Sequence, residues 1–338
     1  MERPSLMNRL HNLMTPRWQT ELADSFTDPT ELLSYLGLKP DNPVAMSKAE
    51  SAFPFRVTRA YAERIRKGDR QDPLLRQVLP VGDELKVVPG FAVDPVGDLG
   101  ALTHPGVLQK YAGRALLVTT GACAIHCRYC FRREFPYEGH QLAKSRELAA
   151  LDRLASDSSI HEIILSGGDP LVLSNDRLAG LIESIQQIPQ VRRLRFHSRL
   201  PLVLPNRIDP ELLGLLSECR LQVVMVIHAN HPNELDDTVK DAIQAMIQSG
   251  IHVLNQSVLL QGVNDNSNCL IKLSEKLFEY GALPYYLHLL DRARGIAHFE
   301  VPDTRAQQLM DELRKQLPGY LVPKLVREIS GAPYKQPA

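Results

Sequence analysis

The chain has 338 residues, 44% hydrophobic and 23% charged, which supplies apolar material for a large core and excludes intrinsic disorder. Lys plus Arg and Asp plus Glu are equal at 39 each, so no global field favours nucleic acid or an anionic membrane surface, and the expected partner is a compact ligand or a locally matched protein. Residues 1–18 lack a signal-peptide core and no later run approaches the roughly 18 apolar residues of a membrane span, which points to a cytoplasmic protein.

In chain order, residues 1–110 alternate helical patches, at 28–36 and 47–67, with Pro-rich connectors and no regular strands, and are expected to form a mainly helical extension. From Arg114 onward short apolar runs recur, each followed by a polar, helix-compatible stretch. They predict strands at 115–120, 162–166, 193–197, 222–228, 253–260 and 285–290. Helices are predicted at 146–156, 175–188, 210–218, 234–249, 267–280 and 304–316, with Asp176, Asp209 and Asn266 near their starts as capping chemistry favours. Six such units imply an α/β fold, a partial, open (β/α)6 TIM-like barrel over 111–303, flanked by the helical extension and a C-terminal segment, 304–338. Active sites of such folds lie at the C-terminal strand ends, which nominates Cys123, residues 167–169, residues 197–199, His228, residues 261–265 and Asp291.

Five cysteines, three of them within eight residues, do not make a disulfide framework. Cys123, Cys127 and Cys130, in the segment CAIHCRYC, place three thiols on one short loop, with Cys219 and Cys269 left over. Three thiolates hold three irons of a [4Fe–4S] cluster and leave the fourth open to another ligand. Zinc is the alternative, with His126 or His140 completing a tetrahedral site, but the spacing is tighter than paired zinc knuckles and no second knuckle follows.

This loop, with Tyr129 before its last cysteine, resembles the radical S-adenosylmethionine superfamily, whose open iron chelates S-adenosylmethionine. The resemblance implies that Ser166, Gly167, Gly168 and Asp169 form the family's glycine-rich motif for the methionine amino group, where glycine permits close backbone approach. Further segments resemble the lysine 2,3-aminomutases over roughly residues 111–335: CRYCFRR at 127–133, SGGDP at 166–170, HPNE at 231–234, NQSVLLQGVND at 255–265 and YYLHLLD at 285–291. That likeness implies pyridoxal 5′-phosphate bound through Lys335, with Lys324 a minor rival, and held by Tyr111 and Arg114. It also implies that Arg132 binds a substrate carboxylate and that Asp291 and Glu328 bind its distal ammonium, Glu328 standing where the family has an aspartate. His228 and Gln256 match positions near S-adenosylmethionine.

The implied activity is conversion of L-α-lysine to (R)-β-lysine, and the likeness is to the shorter bacterial members of the family that serve modification of elongation factor P. Implied partners are lysine, a reductase or flavodoxin-type electron donor, and elongation factor P with its lysyl-transferring ligase. Two other readings stand beside it: a radical enzyme of different chemistry without pyridoxal phosphate, and a non-catalytic zinc- or cluster-binding adaptor.

Overall fold

A computed structural model describes residues 16–338, so the expectation about residues 1–18 lies, for residues 1–15, outside the described residues. Ten strands form one sheet: β1 (Leu102–His104), β2 (Val107–Leu108), β3 (Arg114–Thr120), β4 (Glu162–Gly167), β5 (Arg193–His197), β6 (Gln222–Ile227), β7 (His252–Val258), β8 (Leu283–His288), β9 (Lys324–Arg327) and β10 (Gln336–Pro337). The strands lie in chain order, parallel from β3 to β9 and antiparallel at both edges. β1 and β10 do not pair with each other, so the sheet is open. β4, EIILSG, is buried at every position but its first, as a parallel strand covered on both faces must be.

All six expected strands are present, with ends shifted by up to two residues. The sheet is larger than expected. The segment after residue 303 contributes a seventh parallel strand, β9, and residues 102–108, expected in the helical extension, pair with β3 as a hairpin. β1, β2 and β9 have three, two and four residues. A period-2 pattern needs more length than that to show.

Helices Lys144–Ser156, Asn175–Gln186, Pro210–Ser217, Asp237–Gln248, Ser267–Tyr280 and Asp303–Gln316 fill the crossovers. Leu178, Leu181, Ile182 and Ile185 give one its buried stripe at helical spacing. Asp209 and Asn266 cap as expected, accepting from Leu212 N at 2.8 Å and Cys269 N at 2.9 Å. Ser174, not Asp176, caps the helix between them and β4, because its Oγ accepts from Arg177 N. The patch at 47–67 is two helices, Pro43–Ala52 and Arg59–Ala62, since Pro54 forbids helical geometry at Phe53. No helix among the described residues is long and apolar enough to cross a membrane.

One apolar cluster runs from Trp18, Leu32 and Leu33 of the N-terminal helices to Leu165, Leu194, Phe196 and Met225 of the sheet. A polar clamp joins the same two parts. Arg128 is fully buried and donates from Nε to Glu84 Oε1 at 2.9 Å, from Nη2 to Glu84 Oε2 at 2.5 Å, and to the carbonyls of Phe53 at 2.8 Å and Ala49 at 3.1 Å. Arg133 reaches the same carboxylate at 2.7 Å. Breaking a buried pair strands a charge. Arg128→Met is expected to destabilise the fold by about 3–5 kcal/mol, read from the denaturant midpoint, and adding Glu84→Gln should cost less than the sum of the two single changes.

Candidate active site

β3 ends at Thr120 and the chain enters the cysteine loop, which is pinned from outside the sheet: His126 N donates to Arg56 O at 3.0 Å and Arg128 N to Gln77 O at 2.8 Å. Cys123, Cys127 and Cys130 are free thiols, half-buried. Arg199, just past β5, donates from Nη1 to Cys127 Sγ at 2.7 Å, while its Nη2 is fixed by Gln77 at 2.7 Å and Glu234 at 2.9 Å. That guanidinium sets a fixed positive charge against the sulfur. Burial, and then the neighbouring sulfurs, push the Cys123 thiol well up and that of Cys130 to about 11, so the loop asks for cationic compensation.

The glycines after β4 answer to this loop. Gly168 N donates to Thr120 O at 2.7 Å and Asp169 N to Ala122 O at 2.8 Å. A Cβ on Gly168 would stand 2.3 Å from Ala122 O, and one on Gly167, at φ +119°, 2.5 Å from Thr120 O. The close approach required is therefore to the cysteine loop itself, whatever ligand lies beyond. The Asp169 side chain is likewise spent inside the protein: its oxygens accept from Ser198 Oγ at 2.8 Å and from the backbone of Leu171 at 3.0 Å, Arg199 at 2.7 Å and Leu200 at 3.2 Å. Four bonds leave it little to offer a ligand.

Apart from the rival candidates Lys324 and His140, every residue singled out from sequence for cluster, cofactor or substrate lines a single cavity of about 480 Å³ at the C-terminal strand ends. Lys335 is in it; Lys324, exposed at the start of β9, is not. His197, Ser198 and Arg199 also line it, whereas residues 261–265, nominated by their place after a strand, do not. Sequence reasoning passed over Asp98, Lys110, Tyr137, Arg195 and His288, all lining residues. Asp98 and Lys110 precede β3, and Tyr137 opens the one-turn helix Tyr137–His140 before the first crossover helix, places no strand-end rule reaches.

A chain of charges crosses the cavity floor. Arg132 Nε donates to Asp98 Oδ2 at 2.6 Å, Lys110 Nζ to Asp98 Oδ1 at 2.6 Å and Glu328 Oε1 at 2.9 Å, and Lys335 Nζ to Glu328 Oε2. Burial opposes ionisation of Glu328, but Lys335 and Lys110 hold its carboxyl down at about 2. Asp291 has no such partner. Burial raises its carboxyl to about 7, with Lys335 pulling down and Glu328 pushing up. The Arg114 guanidinium lies 4.7 Å over the Tyr111 ring, whose hydroxyl is raised by burial and by Glu328. Buried Nε2 atoms of His197 and His228 and Nε of Arg195 have no partner among the described residues.

The profile of the Radical SAM superfamily matches residues 117–269. L-lysine 2,3-aminomutase of Escherichia coli K12 is 45% identical over 335 residues, 98% of each chain. The chain belongs to the lysine 2,3-aminomutase family. The enzymes of that name from Haemophilus influenzae and Buchnera aphidicola are 46% and 41% identical over 94% and 93% of each chain.

Membership brings a [4Fe–4S] cluster, S-adenosylmethionine and pyridoxal phosphate, and the donors fit all three. Three free thiols facing one cavity, one already beside a guanidinium, suit a cluster. No three His, Cys, Asp or Glu side chains among the described residues meet closely enough for a single ion, and His126 Nδ1 is engaged with Pro54 O at 3.0 Å. The orphaned His228 Nε2 beside the cysteine loop suits a polar ligand there. The amine of Lys335, the guanidinium of Arg114 and the orphaned Arg195 Nε suit an aldehyde bearing a phosphate. Because backbone sits where its Cβ would go, Gly168→Ala is expected to cost most of the iron and sulfide in anaerobically purified protein while leaving the far-UV circular dichroism near wild type.

Proposed function

We propose that the chain converts L-α-lysine to (R)-β-lysine. The observation that carries the reading is one cavity lined at once by the cysteine triad, by Lys335 with Arg114 and Tyr111, and by an arginine and two acids. When bound, the cluster with S-adenosylmethionine supplies hydrogen abstraction, and pyridoxal phosphate a delocalising ring that carries nitrogen between adjacent carbons.

The chain's own residues bind, orient and keep the site dry. In this reading Arg132 grips the α-carboxylate with its Nη atoms, since Asp98 occupies Nε. Asp291 and Glu328 receive the distal ammonium, and Lys335 and Arg114 hold the amine and phosphate ends of the second cofactor. His228 and Gln256 orient S-adenosylmethionine by hydrogen bonds, and Ser166, Gly167 and Gly168 shape its backbone cradle. Leu116, Ile125, Val258 and Leu290 line the remaining wall, and such apolar surface withholds water from a reactive carbon centre. We further propose that the reaction occurs in the cytoplasm, takes its electron from a reductase or flavodoxin-type donor, and feeds a ligase that modifies elongation factor P; the sequence resemblance to the shorter bacterial members supports this.

Anaerobic incubation of reduced, reconstituted enzyme with lysine, S-adenosylmethionine and pyridoxal phosphate is expected to yield β-lysine, and no product with all three groups demonstrably bound would sink the reading. Lys335→Ala should abolish the absorbance band of covalently held cofactor; a band that persists would move the attachment elsewhere.

The carboxyl of Asp291 gives a pH signature. With its titration raised to about 7, the group is largely neutral below that pH and charged above it. An ammonium favours the charged form, so lysine binding should strengthen as pH rises toward 7 and release a proton below it. Calorimetry in buffers of different ionisation enthalpy checks the release, and Asp291→Asn should remove it.

A further inference from the structure

Lys110 lines the cavity and belongs to none of the three cofactor or substrate sets derived above. An ammonium has three hydrogens, and here each has an acceptor: Asp98 Oδ1 at 2.6 Å, Glu328 Oε1 at 2.9 Å and Val96 O at 2.8 Å. Nothing is left with which to hold a ligand. Each of the two carboxylates it touches is in turn bifurcated, Asp98 giving its other oxygen to Arg132 and Glu328 its other oxygen to Lys335. The exposures are 17% for Lys110, 3% for Asp98 and 14% for Glu328, so solvent screening is weak and the geometry is held.

We propose that Lys110 is a positioning residue that ties the carboxylate-gripping end of the substrate site, through Asp98 and Arg132, to the ammonium-binding end, through Glu328, and thereby selects an amino acid with a distal ammonium. The inference rests on the aminomutase reading. Once the Lys335 amine is committed to cofactor, Lys110 is the remaining lysine that holds Glu328 in place. A distal ammonium pairs with the carboxylate so held, whereas a methyl group in its place does not.

The groups facing Glu328 are Lys110, Lys335, Arg132, Tyr111 and Asp291, from the segments around β3, the cysteine loop, β8 and β10. Lys110 lowers both Glu328 and Asp291, so its removal moves both upward. The carboxylates needed for an ammonium are then lost at higher pH.

The test uses full-length, pyridoxal-phosphate-loaded enzyme without S-adenosylmethionine, titrated with lysine and with norleucine, which lacks the distal ammonium, while the cofactor absorbance is followed. Lys110→Met is expected to weaken lysine by about tenfold or more, because Glu328 loses the charge-assisted contact that holds it in place. Norleucine should change little, and the acid limb of lysine binding should move up. Lys110→Arg should restore most of the preference. Asp98→Asn acts at the other end, where both ligands carry a carboxylate, and should weaken the two alike. An unchanged lysine-to-norleucine ratio in Lys110→Met overturns the proposal, as does equal weakening of both. Should that variant fail to load cofactor, Asp98→Asn carries the test, and a lysine-only effect or no effect overturns it. Wild type that binds neither amino acid instead sinks the aminomutase reading.

Discussion

The buried pair of Arg199 and Glu234 is the joint on which the rest of the site hangs. Glu234 is fully buried, and its carboxylate is satisfied on both oxygens: Oε2 by Arg199 at 2.9 Å, Oε1 by the backbone of Asn230 at 2.9 Å and His231 at 3.1 Å and by Gln77 at 3.2 Å. Such completeness is what makes a desolvated pair tolerable. It also joins four parts of the chain, since Arg199 follows β5, Glu234 follows β6, Gln77 belongs to the N-terminal helices and Cys127 to the cysteine loop. The cysteine nearest that guanidinium is held in place by residues well over a hundred positions apart in sequence. The N-terminal helices are thus part of the site's construction, as the apolar cluster they share with the sheet also indicates.

Much of this was legible in the sequence because the relevant signals are local. Strands β3 to β8 are runs of five to seven residues, long enough for a pattern, and the triad's spacing is short enough for one loop to express it. The strand-end rule gathered His197, Arg199, His228 and Asp291 before any contact was known, and the cavity does contain them. The resemblance placed Lys335, whose position near the last residues would otherwise read as a solvated tail.

What escaped notice is non-local. Asp98 and Lys110 lie before the first parallel strand, in a stretch that reads as connector, and acquire meaning only through Arg132 and Glu328. Asp169 matched a motif and lines the cavity, but the bonds its carboxylate accepts within the protein depend on where Ser198 and Leu200 fall in space. The same holds for residues 261–265, which follow a strand but turn away: Asn264 is buried and spends its amide on Asn230 O and Val258 O, each at 2.9 Å.

The two-residue strand β10 has a consequence for how this site can vary. Gln336 pairs with Arg327 and Pro337 with Val326, so Glu328 and Lys335 are the first residues beyond the ladder on either arm of a hairpin. Their meeting is set by register, not by the residues of the loop that separates them. An inserted or deleted residue in β10 would turn Lys335 to the opposite face of the sheet, whereas replacements at Ser330, Ala332 or Tyr334 leave the ladder untouched. The identity of the residues in this loop can therefore vary, while their number cannot.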